Sequence, residues 1–147
     1  MKNEKNAFVP EGDSKEDVLL RKQIIIDYYR QWGIIHPERR VYNRCLKDYI
    51  YVKGLSVAET AYHASKTYLS TLAVLQLDAI LSNSTLVETT PINPKKKNQK
   101  GFIQMLRMAY NSPGIGAIKM LVGVKQRDKS KVQYCITALN SDKTESR

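Results

Sequence analysis

Three groups of residues in this chain have types and spacings suited to chemistry. The first is Glu59, His63 and Lys66, which recur at intervals of three and four, the spacing of one helical face. A carboxylate and an imidazole so placed can hold an acid–base pair; the same spacing also describes a solvated face. The second is Arg107, Lys119 and Thr137, set at alternating positions within apolar runs. Two cations and a hydroxyl brought side by side make a receptor for a phosphate. The third is His36, His63, Cys45 and Cys135, which carry metal-binding atoms but none of the spacings of a metal site. Gly114-Ile115-Gly116 enters a strand rather than a helix, so it reads as a turn and not as a dinucleotide-binding loop. The sequence therefore calls for no cofactor and no metal.

The charge distribution favours the phosphate. The chain of 147 residues carries a net charge of +10, but residues 1–90 hold 12 Lys/Arg against 11 Asp/Glu. Residues 91–132 hold 10 Lys/Arg against Asp128 alone. Lys95, Lys96, Lys97 and Lys100 form a basic loop, and Lys125, Arg127 and Lys131 surround a later turn. Positive charge concentrated in this way is the footprint of phosphate-backbone binding, and a nucleic acid, RNA before DNA, is the expected partner. The other reading is a protein-interaction adaptor whose basic surface meets an acidic protein. Tyrosines 28, 29, 42, 49, 51, 62 and 68 are read as amphipathic core filler rather than as base-stacking platforms.

The elements that must position these residues follow from periodicity. The length suits a single α+β domain over residues 14–140, with a loose arm at 1–13 and a tail at 141–147. No apolar run is long enough for a membrane span or a signal peptide, and the two cysteines are 90 positions apart, so a soluble cytoplasmic protein with reduced thiols is expected. Ser14 opens a helix over about 15–32, with Gly33 as its stop. Residues 41–53 could form a short helix or an extended piece, and they lean towards the helix. Ser56 and Glu59 resemble a capping box, and the stripe Val57, Ala61, Ala64, Tyr68, Leu72, Leu75 and Ala79 predicts one helix over about 57–82. After residue 84 the period turns to two. Thr85–Thr90 is a short strand, and Phe102–Tyr110, Gly116–Lys125 and Lys131–Leu139 form an antiparallel meander. The expected architecture is N-terminal helices packed on one face of a C-terminal antiparallel sheet of three to four strands.

Aligning apolar faces then sets the register. Val124 should pair with Val132, Met120 with Ile136 and Lys119 with Thr137. Leu106, Met108 and Tyr110 should match Met120, Ile118 and Gly116, which places Arg107 opposite Lys119. Arg107, Lys119 and Thr137 would then form one cross-strand row on the face away from the helices.

The run Asp78-Ala79-Ile80-Leu81-Ser82-Asn83-Ser84, then Leu86-Val87-Glu88, a Pro/Lys loop and a meander ending Val132-Gln133-Tyr134-Cys135-Ile136, resembles one superfamily over residues 60–140. It is the barnase–EndoU–colicin–RelE-like nucleases, of the type found in polyvalent proteins of phages and mobile elements. The resemblance implies a nuclease-like fold with helices on one side of a four-stranded antiparallel sheet and RNA on the other. It also implies metal-independent cleavage through the RNA 2′-hydroxyl, with Arg107, Lys119 and Thr137 as the matching catalytic residues. The strand histidine frequent in that family has no counterpart, since His36 and His63 both lie upstream of the sheet.

Overall fold

The computed structural model describes residues 9–139. Helix α1 (Lys15–Ile35) begins as its sequence predicts: the Ser14 hydroxyl accepts from the Asp17 N–H at 3.0 Å, and Glu16 and Asp17 fill the first turn. It runs past Gly33 and stops at His36, before Pro37. Gly33 serves a close approach instead, because a Cβ there would come within 2.9 Å of the Arg39 guanidinium.

Residues 41–53, expected as a short helix, form a hairpin. Strand β1 (Arg40–Asn43) pairs antiparallel with β2 (Asp48–Tyr51). The alternation explains why: Val41, Asn43 and Ile50 turn inward, while Arg40, Tyr42, Tyr49 and Tyr51 occupy the other face. The turn closes on Lys47 at φ 54°, a conformation usually given to Gly or Asn. Asn43 braces it by accepting from the Leu46 N–H at 2.8 Å.

The long helix expected over 57–82 is three. They are α2 (Gly54–Ala64), α3 (Tyr68–Val74) and α4 (Leu77–Asn83). Thr67 breaks the first junction by capping α3, its hydroxyl accepting from the Ser70 N–H at 3.2 Å. The first helix starts earlier than Ser56, with Lys53 as N-cap; Ser56 accepts from the Lys53 N–H at 2.9 Å. Each short helix turns apolar side chains to the same core, but of the expected stripe only Val57, Ala61, Ala64 and Leu72 join it; beyond them Ala73, Val74, Leu77, Ile80 and Leu81 are the buried residues.

Strands β3 (Thr85–Thr90), β4 (Phe102–Ser112), β5 (Gly116–Lys125) and β6 (Lys131–Ala138) fall where the period-two pattern puts them. The sheet has six strands rather than three to four, in the order β1-β2-β6-β5-β4-β3. It is mixed, because β2 meets β6 in parallel, and only at Ile50–Lys131 and Tyr51–Val132. Beyond that point the free edge of β6 is closed by helix hydroxyls: Ser56 donates to the Gln133 carbonyl, and Ser70 accepts from the Ala138 N–H at 2.9 Å. The two outermost strands also approach each other, since the Leu86 N–H of β3 reaches the Cys45 Sγ of the hairpin turn at 3.4 Å.

The main core lies between helices and sheet, with Ile25, Tyr29 and Trp32 of α1 among Met108, Met120 and Ile136. A polar seam crosses it: the Tyr29 hydroxyl donates to Gln133 Oε1 at 2.7 Å, and Gln133 Nε2 donates to the Thr60 hydroxyl at 2.8 Å. Arg21 is fully buried, and among the described residues its guanidinium donates to carbonyls, those of Ser65, Pro10, Gly12 and Lys66 at 2.7–3.3 Å. It fixes residues 10–12 of the expected arm against the α2–α3 junction; residues 1–8 and 140–147 lie outside the described residues.

Candidate nucleic-acid interface

The sheet has a second covered face, turned away from α1. Phe102, Met105, Val132, Tyr134 and Cys135 cluster there, with Leu55, Ile92 and Leu121 against them. Phe102 lies flat on Gly123, where no side chain intervenes. The loop between β3 and β4 closes over this patch, carrying exposed Lys95, Lys96, Lys97 and Lys100 and buried Gln99.

Register decides what converges beside the patch. Lys119 does stand opposite Thr137, and Met120 opposite Ile136. A bulge at Leu121–Val122 then shifts the pairing by one, so Val124 meets Lys131 and not Val132. Between β4 and β5 the register differs by two: Met108 pairs with Met120, Tyr110 with Ile118, and Lys119 with Ala109. Arg107 therefore stands opposite Leu121, diagonal to Lys119, and its Nε is bound to Glu88 Oε2 at 2.9 Å. All three members of the expected row share the face away from α1, but only Lys119 and Thr137 are paired. The cause is the loop: the strands extend to Ser112 and Gly116, leaving Pro113-Gly114-Ile115 as the turn, with Gly114 and Gly116 at φ 93° and 95°.

Glu59 and His63 reach the rim of this face from α2. Their side chains are only 17% and 29% exposed, and His63 Nε2 lies 3.4 Å from Glu59 Oε1. Asn98 of the basic loop donates to the other carboxylate oxygen. Burial holds His63 below the ordinary histidine range; Glu59 pulls it back up, while Lys96 and Lys66 push it further down. Cys135 sits centrally, its thiol pushed up to about 11 by burial, with Lys119, Glu59 and Lys96 all acting on it. The buried Tyr134 hydroxyl meets no partner at full hydrogen-bond geometry among the described residues; burial raises its pKa, and Gln99 and Glu59 are near enough to act on it, Gln99 downward and Glu59 upward. A carboxylate–imidazole pair, a buried hydroxyl and cations from two elements thus border one surface. The helical spacing of Glu59 and His63 was visible in the sequence. The return of Asn98 and Gln99 onto α2 carried no local signal.

The other expected contacts divide. Lys125 and Arg127 border the β5–β6 turn, half-buried and exposed respectively. Lys131 is not available in the same way, because its Nζ is held by Asp48 Oδ2 at 2.8 Å. Lys66 turns to Tyr62, its Nζ 4.1 Å from the ring centre, rather than joining Glu59 and His63. His36 is structural: it stacks on Trp32 at 4.3 Å, and Asp78 accepts from the Trp32 indole at 2.7 Å while lying 3.4 Å from His36 Nε2. Among the described residues no group of His, Cys, Asp and Glu could hold a metal ion, and no helix is long and apolar enough to cross a membrane. Compared with protein-family models, curated proteins and solved structures, the chain matches none.

Proposed function

We propose that this domain binds RNA across the sheet face turned away from α1, with the basic loop of Lys95, Lys96, Lys97 and Lys100 holding the phosphate backbone. The observation that carries the reading is the place of that loop. Asn98 fastens it to Glu59, and Lys96 lies within electrostatic reach of both His63 and Cys135, which Lys119 also reaches. Cations from the loop and from β5 thereby gather on one surface, while Asp128 is occupied in its own turn by Ser130 at 2.8 and 3.0 Å. On this reading the protein is a cytoplasmic, nuclease-like domain of the mobile-element type.

The Glu59–His63 pair favours a further step, metal-independent cleavage. Glu59 would keep His63 oriented, and the imidazole would take the proton of an RNA 2′-hydroxyl. The 2′-oxygen then attacks the adjacent 3′-phosphorus, the bond to the 5′-oxygen breaks as that oxygen takes a proton from water, and a 2′,3′-cyclic phosphate and a 5′-hydroxyl result. Lys119 and Lys96 would balance charge on the phosphate, with Thr137 donating to it. Arg107, held by Glu88, would act only after exchanging that carboxylate for a phosphate. Labelled RNA incubated in EDTA tests this step. Cyclic-phosphate ends that disappear in His63→Gln support it, and intact RNA bound by the parent protein restricts the function to binding.

A further inference from the structure

The tyrosines of the β1–β2 hairpin are not core filler. Tyr42 and Tyr49 are 48% and 37% exposed, stand directly opposite each other, and meet edge to face at 5.5 Å. Val41 packs into the core and Asn43 bonds to α4, so Arg40 and Tyr42 occupy the face turned away from it. The Arg40 guanidinium lies 4.0 Å from the centre of the Tyr49 ring and donates to the Tyr51 hydroxyl at 3.2 Å. Lys53 lies 5.4 Å from the Tyr51 ring centre. Residues 38–53 carry five cations (Arg39, Arg40, Arg44, Lys47 and Lys53) against Glu38 and Asp48, and Asp48 is taken by Lys131.

We infer that this hairpin is a base-stacking subsite for single-stranded RNA, with the exposed Tyr42 ring as its platform. The inference rests on the RNA reading above and adds to it. Exposed rings amid cations are complementary to a strand whose bases are unpaired, since each base offers a flat face and each linkage a negative charge. A duplex keeps its bases stacked and cannot use the platform. An acidic protein would be drawn to the cations but has no comparable need of the rings. Position supports the same occupant: Tyr51 pairs with Val132, which belongs to the patch beneath the basic loop, so hairpin and loop lie on one continuous face. Arg40 holds the Tyr49 ring in place, so the Tyr42–Tyr49 pair is ordered before a base arrives, which reduces the entropy lost on binding.

The test compares three probes at matched salt: a single-stranded oligouridylate, an abasic strand of equal length and a blunt RNA duplex. Stacking predicts tighter binding of oligouridylate than of the abasic strand. It also predicts that Tyr42→Ala loses at least about fivefold on oligouridylate and nothing on the other two, with Tyr42→Phe restoring the loss. Equal affinity of the parent protein for oligouridylate and the abasic strand overturns the subsite, whatever the variants do. If all three probes bind alike and weaken with salt, only the stacking inference fails. If none binds, the RNA reading fails and the subsite with it.

Discussion

Replacing Gly123 by alanine should destabilise the protein through one side chain. A Cβ at this position overlaps Cδ2 and Cε2 of Phe102 and comes within 2.6 Å of Cζ. Ordinary carbon–carbon contact is about 3.5–4.0 Å, so the ring must retreat by about 1 Å. Phe102 has little room to do so, being buried and packed edge to face on Tyr134 at 6.5 Å. Overpacking of this kind costs about 1–3 kcal/mol. Removing a glycine from a strand returns about 0.5–1 kcal/mol. The net loss is then about 0–2.5 kcal/mol, centred near 1, a fall in Tm of up to roughly 10 °C for a chain of this size. A double-mutant cycle isolates the cause, with stability measured by urea unfolding. With Phe102→Ala already present, Gly123→Ala should cost nothing or stabilise slightly, giving a coupling of about 1–3 kcal/mol. Additive effects would refute the contact as the reason that glycine is needed.

Three further outcomes follow from the packing. Arg21→Met removes the guanidinium that donates to the buried Ser65 carbonyl and frees residues 10–12, so it should lose about 2–4 kcal/mol and gain a protease cut near Gly12. Cys45 is exposed and Cys135 buried with a raised pKa, so native alkylation at about pH 8 should label only Cys45, as mass spectrometry would show. Burial lowers the His63 pKa, so the unfolded chain takes up the proton first as pH falls through about 6.5. Its contribution to stability is complete above that value and is lost below it; the parent should therefore lose more stability than His63→Gln between about pH 6.5 and 5.

The strands of the C-terminal half were legible because alternation survives any local detail. The β5–β6 register was legible as far as the bulge, at Lys119–Thr137 and Met120–Ile136, but the β4–β5 register was not: a slip of two residues leaves every side chain on its own face, so apolar matching cannot tell Leu106–Met120 from the observed Leu106–Val122. The bulge at Leu121–Val122 is likewise silent in the sequence. The hairpin was hidden by its turn, where Lys47 adopts a left-handed conformation that no glycine announces. The breaks between α2, α3 and α4 were hidden because Thr67 caps without interrupting the apolar stripe. The candidate site was half visible, since Glu59–His63 follows from helical spacing and Lys119–Thr137 from matching the apolar faces of β5 and β6. Glu88 capturing Arg107, and Asp48 capturing Lys131, depend on strand neighbours that only the full topology supplies.

RNA binding, as proposed, rests on phosphate contacts made by the basic loop. Filter binding of a single-stranded RNA across a series of salt concentrations tests it directly. Each phosphate neutralised on a single strand contributes about −0.7 to the slope of log K against log salt. The parent should show a steep negative slope, reduced by up to about 3 when Lys95, Lys96, Lys97 and Lys100 are all replaced by alanine. Binding that ignores salt, or a fourfold variant with the parent's affinity and slope, would contradict it.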